Sequence, residues 1–290
     1  MPDRLAVLVQ YLLPKRALTQ FAGRIAGVRG AALTTGLIKW FVRRYKVNMS
    51  EAASPALSSY ATFNDFFTRA LQEGARPLAG ADLICPVDGA ISQLGRIEGQ
   101  QIFQAKGHHY SSTALLGGDS ALAAQFDDGS FATLYLSPKD YHRIHMPCDG
   151  HLSRMIYVPG ELFSVNPATA RSVPGLFARN ERVVCIFESA HGAFALVLVG
   201  ATIVGSIATV WHGVVNADRH ATLSEWRYDD QPVNLRQGQE MGRFLLGSTV
   251  VLLFAKGDLQ FNPVWVSGRA IRLGEAMTSQ QPLFTPRLFG

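Results

Sequence analysis

The spacing of apolar residues divides the chain into a helical beginning and a strand-rich remainder. Leu18, Phe21, Ile25 and Val28 recur three or four positions apart, which is the spacing of one face of an α-helix. The same spacing returns in a second set of residues, Leu37, Ile38, Phe41, Val42 and Tyr45. Basic residues lie between the members of both sets. The pattern predicts amphipathic helices within residues 1–76.

From residue 80 onward the apolar residues form short β-branched runs separated by Gly, Pro and Asp. The clearest runs are Gly89–Ile97, Phe131–Leu136, Val183–Glu188 and Thr249–Phe254. Short strands separated by turn residues are typical of antiparallel sheets or barrels. We therefore expect an α+β fold, in which N-terminal amphipathic helices over 1–76 precede a mainly antiparallel β core over 80–290.

One uncharged segment is long enough to be considered as a membrane span. Ala193–Trp211 holds nineteen residues without a charge. The segment is rich in β-branched residues, and Gly200 and Gly205 interrupt it. That composition favours two buried strands joined by a tight bend, so we expect no span here.

The basic character of the chain is concentrated at its beginning. Residues 1–50 carry a net charge of +8 with Asp3 as the single acid, whereas the remaining 240 residues carry −3. Basic amphipathic helices with aromatic residues at one edge are typical of segments that lie on an anionic bilayer. The alternative is an ordinary surface helix whose charges are solvated. The absence of opposing acids favours the membrane surface, and no nucleic-acid partner is expected.

Three segments carry candidate chemistry. Gly247 and Ser248 stand between apolar residues at the edge of a predicted strand, although a Gly-Ser pair alone usually forms a turn. Asp88 precedes a glycine, a position where an acid is also most often a turn residue. His142 and His145 lie three positions apart, and either histidine alone is most often structural.

These residues permit more than one kind of site. The two histidines suit a zinc site with Cys148 or His151 as third ligand, but no second ligand pair with suitable spacing occurs elsewhere, so no metal is expected. The three cysteines have no CxxC pair, which favours buried thiols in a reducing compartment. Asp88, His145 and Ser248 supply an acid, a base and a nucleophile, but a triad is defined by geometry, which spacing leaves open.

Taken together, a longer series of segments resembles phosphatidylserine decarboxylase of the bacterial and mitochondrial kind that carries Leu-Gly-Ser-Thr. The matching segments, in chain order, are Phe63–Arg69, Arg76-Pro77, Pro86–Gly89, Gln104–His108, Tyr135–Pro138, Asp140–Pro147, Val158–Asn166, Gly192–Gly205 and Glu240–Thr249. From the first to the last, they span about two thirds of the chain, with no departure at the catalytic positions. The first sixty and last thirty residues carry little of the resemblance.

The resemblance implies a proenzyme that cuts itself between Gly247 and Ser248. In this family the serine hydroxyl attacks the preceding carbonyl, and elimination and hydrolysis then convert the serine into a pyruvoyl group. The cofactor would therefore derive from Ser248, form a Schiff base with the substrate amine and accept the electron pair left by carbon dioxide. The products of cleavage, chains 1–247 and 248–290, are expected to stay associated.

The same resemblance implies a role for each candidate residue. His145 and Asp88 match the family's base and acid, and His142 is the candidate for holding the substrate carboxylate or phosphodiester. The rival interpretation is a serine hydrolase that uses Asp88, His145 and an intact Ser248. The hydrolase motif Gly-x-Ser-x-Gly is absent around Ser248, which counts against this rival.

The implied substrate is phosphatidylserine, and the implied products are phosphatidylethanolamine and carbon dioxide. A lipid substrate places the enzyme at a membrane surface. The apolar run Leu5–Leu13 is short, is broken by Gln10 and is followed by Pro14, so no signal peptide is predicted. We expect a peripheral protein on the cytoplasmic side of the cell membrane; the sequence leaves the oligomeric state open, a homodimer included.

Overall fold

The beginning of the chain is helical, as its apolar spacing predicts. The computed structural model describes residues 10–11, 14–202, 206–216, 221–245 and 248–279. Two helices, α1 (Lys15–Ala26) and α2 (Ala31–Tyr45), precede a 3₁₀ turn at Leu57–Ser59 and the short helix α3 (Phe63–Phe67). These helices bury one apolar cluster between them, which includes Ala26, Ile38, Phe41, Val47, Phe63, Phe66 and Phe67.

Local sequence signals fix two of the helix ends. Before α3, Thr62 and Asp65 form a capping box, in which each side chain accepts a hydrogen bond from the other residue's backbone N–H at 3.0 Å. After α2, Lys46 adopts the left-handed conformation with φ 56° and ends the helix. The chain can then turn back toward the β core.

The rest of the described chain consists mainly of antiparallel strands. In chain order they are β1 (Gly89–Arg96), β2 (Gln101–Ala105), β3 (His108–Ser111), β4 (Ser130–Leu136), β5 (Arg143–His145), β6 (Gly150–Val158), β7 (Arg182–Ser189), β8 (Gly192–Val199), β9 (Ile207–Thr209), β10 (Gly213–Val214), β11 (Ser224–Arg227), β12 (Val233–Leu235), β13 (Glu240–Phe244), β14 (Ser248–Phe254) and β15 (Ala270–Ile271). Four short helices lie in the connections: α4 (Ser112–Leu115), α5 (Ser120–Ala124), α6 (Pro167–Ala170) and α7 (Leu176–Arg179). The α+β expectation is confirmed.

Among the described residues the strands form three sheets. The largest has nine strands in the order β11-β6-β7-β8-β14-β4-β1-β15, and β12 also pairs with β6. A four-stranded sheet has the order β10-β9-β13-β5, and β2 pairs with β3. All of these strand pairs are antiparallel.

The large sheet is buried on both faces, which explains the continuous apolar runs of its central strands. Along β14, Val250 and Leu252 belong to the apolar cluster on one face, whereas Val251 and Leu253 belong to the cluster on the other. Successive side chains of a strand point to opposite faces, so a strand covered on both sides is apolar throughout. β14 lies between β8 and β4 and is paired along its length with both.

The uncharged segment 193–211 is part of this core. It supplies β8, whose residues from 194 to 199 are buried, and then β9. The prediction of two strands is confirmed; residues 203–205, within the predicted bend, lie outside the described residues. No helix in the described ranges is both long enough and apolar enough to cross a bilayer.

The helical beginning packs against the β core at more than one point. Gln10 accepts a hydrogen bond from the backbone N–H of Ser164 at 2.9 Å. The Lys15 ammonium lies 3.8 Å from the centre of the Phe163 ring. The predicted boundary at 77–80 therefore marks a change of secondary structure, and residues on both sides of it build the site described next.

Candidate functional site

Three strand ends meet at one edge of the large sheet. β4 ends at Leu136, and because its neighbours β1 and β14 are antiparallel to it, both of them begin beside that end. Asp88 immediately precedes β1, and Ser248 is the first residue of β14, opposite Leu136. We call this place the site edge. The sheet topology brings together residues that are 160 positions apart in the sequence.

The backbone approaches closely at this edge, which requires a glycine beside Asp88. A Cβ atom on Gly89 would lie 2.3 Å from the Tyr135 carbonyl oxygen. That contact is too short for any residue with a side chain. The Asp-Gly pair, which usually marks a turn, here starts strand β1.

The predicted cleavage point lies at the start of β14. Gly247 falls outside the described residues, and of Ser248 only the backbone is described. The residues before and after this point are hydrogen-bonded to the chain between Leu136 and His142. Ser248 pairs with Leu136, and the backbone N–H of Phe244 donates to the carbonyl of His142 at 3.0 Å.

Asp88 is bound by an arginine from the helical beginning of the chain. Arg76 donates from Nε to Oδ1 at 2.9 Å and from Nη2 to Oδ2 at 2.5 Å. The backbone N–H of Leu273, which follows β15, donates to Oδ1 at 2.9 Å. Arg76 also donates to Glu51 at 2.7 Å. Hydrogen bonding to Asp88 is the largest cause that raises the pKa of Arg76, so the guanidinium stays charged.

His145 presents one basic nitrogen. Its Nδ1 lies 2.7 Å from the carbonyl oxygen of Gly238. A carbonyl only accepts hydrogen bonds, so Nδ1 carries the proton, and in the neutral ring Nε2 has the free lone pair. Nε2 lies 3.1 Å from the hydroxyl oxygen of Tyr141, which therefore donates to it. Burial lowers the pKa of His145, which keeps the ring neutral and able to accept a proton at neutral pH.

The structure places Asp88 and His145 at the same edge without joining them. Among the described contacts, the Asp88 carboxylate binds Arg76 and Leu273, and the His145 Nδ1 that a triad acid would orient binds Gly238 instead. Against the lowering effect of burial, the hydrogen bond to Gly238 and the negative charges of Glu240 and, to a smaller extent, Asp88 raise the pKa of His145. The carbonyl of Gly238 orients the His145 ring, and Asp88 acts on it only through space.

His142 is fully buried and also neutral. Its Nδ1 lies 2.8 Å from the Asp140 carbonyl oxygen, and its ring lies 4.1 Å from the ring of Phe67 in α3. Burial is the largest cause that lowers the pKa of His142 to about 3. Within the described ranges its Nε2 has no hydrogen-bond partner. In this protonation state Nε2 is an acceptor, which suits an ammonium or hydroxyl group and does not suit the carboxylate or phosphodiester expected from the sequence.

A cavity of about 500 Å³ opens beside the site edge. Asp88, Tyr135 and Tyr141 belong to its wall. Tyr135 pairs with Thr249, the residue after Ser248, and Tyr141 binds His145. The cavity is therefore continuous with the candidate catalytic residues.

Sequence reasoning missed three residues that contact the candidate site residues in the structure. Arg76 binds Asp88, Tyr141 binds the basic nitrogen of His145, and Gly238 fixes the ring that carries it. Arg76 and Tyr141 both lie inside segments that carry the family resemblance, which was the available signal. Nothing in the sequence around Gly238 indicates that its carbonyl faces a histidine 93 positions away.

The cysteine side chains take no part in the contacts described above. Cys85, Cys148 and Cys185 are buried and unpaired, and burial raises the pKa of the Cys148 thiol to about 11. Unreactive buried thiols match the expectation from the sequence. In the part of the chain that the structure describes, no group of three or more His, Cys, Asp or Glu side chains is arranged to hold a metal ion.

Comparison with known proteins places this geometry in context. A family model described as phosphatidylserine decarboxylase matches residues 63–279, and a second, described as PSD, matches residues 5–46. The chain is 79% identical over 281 residues to a protein of Albidiferax ferrireducens, a match that covers 97% of this chain and 99% of the relative.

Two further relatives are similar over almost their whole length. A protein of Dechloromonas aromatica is 69% identical over 96% of this chain and 99% of its own. One of Polaromonas naphthalenivorans is 72% identical over 96% of this chain and 97% of its own. All three relatives carry the name phosphatidylserine decarboxylase proenzyme.

Proposed function

The chain belongs to the phosphatidylserine decarboxylase family, and from that premise we propose that it makes a pyruvoyl cofactor from its own Ser248, with His145 as the base. Its reaction converts phosphatidylserine to phosphatidylethanolamine and carbon dioxide, which makes it a carboxy-lyase. The observation that carries the proposal is the neutral His145, whose basic Nε2 is bound by Tyr141, a residue of the cavity wall beside the site edge.

Maturation begins with an attack within the chain. His145 takes the proton of the Ser248 hydroxyl, whose oxygen adds to the carbonyl carbon of Gly247. The C–N bond then breaks, an ester replaces the amide, and the Ser248 nitrogen becomes a free amine. Gly247 suits this step because it has no side chain to obstruct the carbonyl.

Elimination completes the cut. Loss of the Cα proton of Ser248 expels the Gly247 carboxylate and leaves an enamine, which water converts to a carbonyl with release of ammonia. The result is chain 1–247 with an ordinary C-terminus and chain 248–290 beginning with pyruvoyl. One water enters and one ammonia leaves.

The position of Ser248 fits this cofactor. Pyruvoyl supplies an electrophilic carbonyl that condenses with the substrate amine and takes up the electron pair released with carbon dioxide. Ser248 is the first residue of β14, and the next residue pairs with Tyr135 of the cavity wall. A group formed at position 248 would therefore be attached to the protein only through β14. The rest of β14 is hydrogen-bonded to both β4 and β8, which supports continued association of the two chains after the cut.

The other residues of the site hold and protect this chemistry. Tyr141 donates to the basic nitrogen of His145, and burial raises the pKa of Tyr141 to about 12, so the phenol stays protonated. After the cut, His145 is free to return a proton to the substrate carbon. His142 offers the neutral acceptor Nε2, which suits the substrate ammonium.

The helices α1 and α2 suit attachment to an anionic bilayer. They expose large apolar side chains, of which Leu33 is 84% and Phe21 is 62% exposed. Arg24, Lys39 and Arg43 are exposed on the same two helices, and residues 4–50 contain no acid. Apolar insertion and attraction to anionic lipid would act together, so we propose peripheral attachment on the cytoplasmic side of the cell membrane.

A serine hydrolase acting through the same residues finds no support. The relatives are named as decarboxylase proenzymes, and the Asp88 carboxylate is bound to Arg76 instead of to a histidine.

Replacing the serine tests the proposed function. Ser248→Ala should remain one chain on a denaturing gel and release no carbon dioxide from phosphatidylserine, whereas the wild type should show two chains. A wild-type protein that stays whole and still acts on a lipid would contradict the proposal.

A further inference from the structure

One buried arginine in the cavity beside the site edge lacks a carboxylate partner. Arg69 follows α3, lines the cavity and is 4% exposed. In the described ranges its guanidinium makes one hydrogen bond, from Nη2 to the carbonyl oxygen of Lys139 at 3.3 Å, and its Nε has none. Burial lowers the pKa of Arg69, which reflects the cost of keeping its charge away from water.

The carboxylates that line the same cavity are engaged by other groups. Arg76 binds both Asp88 and Glu51, and Asp140 accepts from the backbone N–H and the hydroxyl of Ser137, both at 2.7 Å. The remaining acid of the wall, Glu275, pairs at 3.0 Å with Arg269, which lies outside the wall. A buried cation is stabilised by hydrogen-bonded or charged partners, and Arg69 has the Lys139 carbonyl and the Phe66 ring, whose centre lies 5.4 Å from its Cζ. The cavity thus holds an arginine whose partner is not supplied by the neighbouring acids.

Two lysines add positive charge around the same space. Lys46 and Lys139 are exposed members of the cavity wall, and neither has an ion pair in the part of the chain that the structure describes. The planar fork of a guanidinium matches two oxygens of one anion, whereas lysines act as point charges. The set indicates an anion site that combines a buried arginine with two solvated lysines.

We propose that Arg69 binds the phosphodiester of the lipid headgroup while the substrate amine reaches position 248. This inference rests on the proposed function. Tyr135 connects the two places, because it lines the cavity and pairs with the residue after Ser248.

The reaction itself distinguishes the phosphodiester from the other anion of the substrate. The carboxylate loses its charge as carbon dioxide departs, so a cation that held it would stabilise the ground state more than the transition state and slow the reaction. The phosphodiester keeps its charge throughout. A buried arginine on the phosphodiester therefore anchors the headgroup without opposing the chemistry.

Water-soluble headgroup fragments test this assignment on the mature enzyme. The substrate is a short-chain phosphatidylserine below its micelle concentration, so that membrane binding does not enter. Ethanolamine, serine and glycerophosphoethanolamine are compared as competitive inhibitors: all carry the amine, serine adds the carboxylate and glycerophosphoethanolamine adds the phosphodiester. In the wild type, glycerophosphoethanolamine should inhibit about 10- to 100-fold better than ethanolamine, the range expected for a charge-assisted hydrogen-bonded pair.

Arg69→Gln should remove most of that advantage while inhibition by ethanolamine and by serine stays unchanged. Arg227→Gln, whose side chain is 64% exposed, removes the same charge far from the cavity and should preserve the advantage. An Arg69→Gln enzyme that keeps the advantage, or one that loses affinity for serine alone, overturns the proposal. A wild type that binds glycerophosphoethanolamine and ethanolamine equally also overturns it.

A gel of each preparation separates this inference from the proposed function. A wild type that fails to form two chains contradicts the proposed function whatever Arg69 binds, whereas a cleaved wild type without the phosphodiester advantage contradicts only the inference. If Arg69→Gln does not fold, Arg69→Lys tests the assignment instead, because lysine keeps the charge but lacks the planar guanidinium that binds two oxygens. The advantage should then narrow several-fold, and an unchanged advantage contradicts the assignment.

Discussion

Arg76 holds both carboxylate oxygens of Asp88, with Nε 2.9 Å from Oδ1 and Nη2 2.5 Å from Oδ2. The pair joins the helical beginning of the chain to the first strand of the large sheet. It fixes Asp88 as a charge near His145 and does not leave it free to bind the histidine. The orientation of the Asp88 carboxylate therefore depends on a contact between the helical and the strand-rich parts of the chain.

Arg76→Gln should slow self-cleavage about 10- to 100-fold, because Asp88 loses a bidentate, charge-assisted partner and its fixed orientation. The measurement is the appearance of the small chain on a denaturing gel after the proenzyme is refolded. Arg272→Gln is the matched control, since this arginine is 62% exposed and, among the described residues, its guanidinium pairs with Glu51 at 3.4 Å and not with Asp88. Equal cleavage rates in the wild type and Arg76→Gln would show that the pair has no part in maturation.

The pH dependence of self-cleavage should report His145. Burial lowers its pKa from the ordinary value of 6.5, and the base acts in its neutral form. The cleavage rate should therefore be level around pH 7 and fall only when the pH drops below 6.5. A rate of refolded proenzyme that still climbs steeply between pH 6.5 and pH 8 would point to a different base.

Tyr141→Phe should shift this profile, because it removes the hydrogen bond to the basic nitrogen. The phenol donates to Nε2, which favours the neutral ring. Without that bond the acid limb of the profile should move to higher pH. A profile identical to that of the wild type would mean that the contact is incidental.

His142 should make the folded protein less stable in acid. Its pKa is about 3 when folded, against 6.5 for an ordinary histidine, so the unfolded chain binds the extra proton between these values. Stability from this residue is present above pH 6.5 and is lost as the pH falls, by about 1.4 kcal/mol at pH 5.5 relative to pH 7.5.

Denaturant unfolding of the uncut Ser248→Ala chain measures this effect. Adding His142→Phe should reduce the acid-induced loss of unfolding free energy by that amount. His191→Phe, at an exposed position, should leave the loss nearly unchanged. If His142→Phe has no more effect than the control, the buried ring is not neutral.

The sequence predicted the elements of this fold better than the contacts of its site. Gly89–Ile97 and Thr249–Phe254 were expected as strands and are observed at 89–96 and 248–254. Thr249–Phe254 is a continuous apolar run, which fits a sheet covered on both faces, whereas the mixed run Gly89–Ile97 forms a strand that is mostly half-buried. The pairing of Asp88 with Arg76 could not be predicted, because it depends on how the helical segment packs against the sheet. No periodicity in the chain encodes that packing.

The exposed apolar residues of α1 and α2 should determine membrane binding. Leu33→Glu should weaken binding to vesicles of mixed phosphatidylcholine and phosphatidylglycerol about 10-fold or more, since it removes an apolar contact and adds a repelled charge. Val266→Glu, at a residue 55% exposed outside these helices, should have little effect. Raising the salt concentration should weaken wild-type binding without abolishing it. Unchanged binding by Leu33→Glu would place the membrane contact elsewhere.

The most direct test of the account is the intact mass of the denatured protein, with the single chain of Ser248→Ala as reference. Conversion of Ser248 to pyruvoyl adds a water and loses ammonia, so the masses of the two chains should sum to about 1 Da more than the uncut wild-type chain. The small chain should comprise residues 248–290 and should lack an N-terminal amine. Simple proteolysis would instead give a sum about 18 Da higher than the uncut chain and a free serine amine at 248. That result, or a single uncut chain with full decarboxylase activity, would contradict the account.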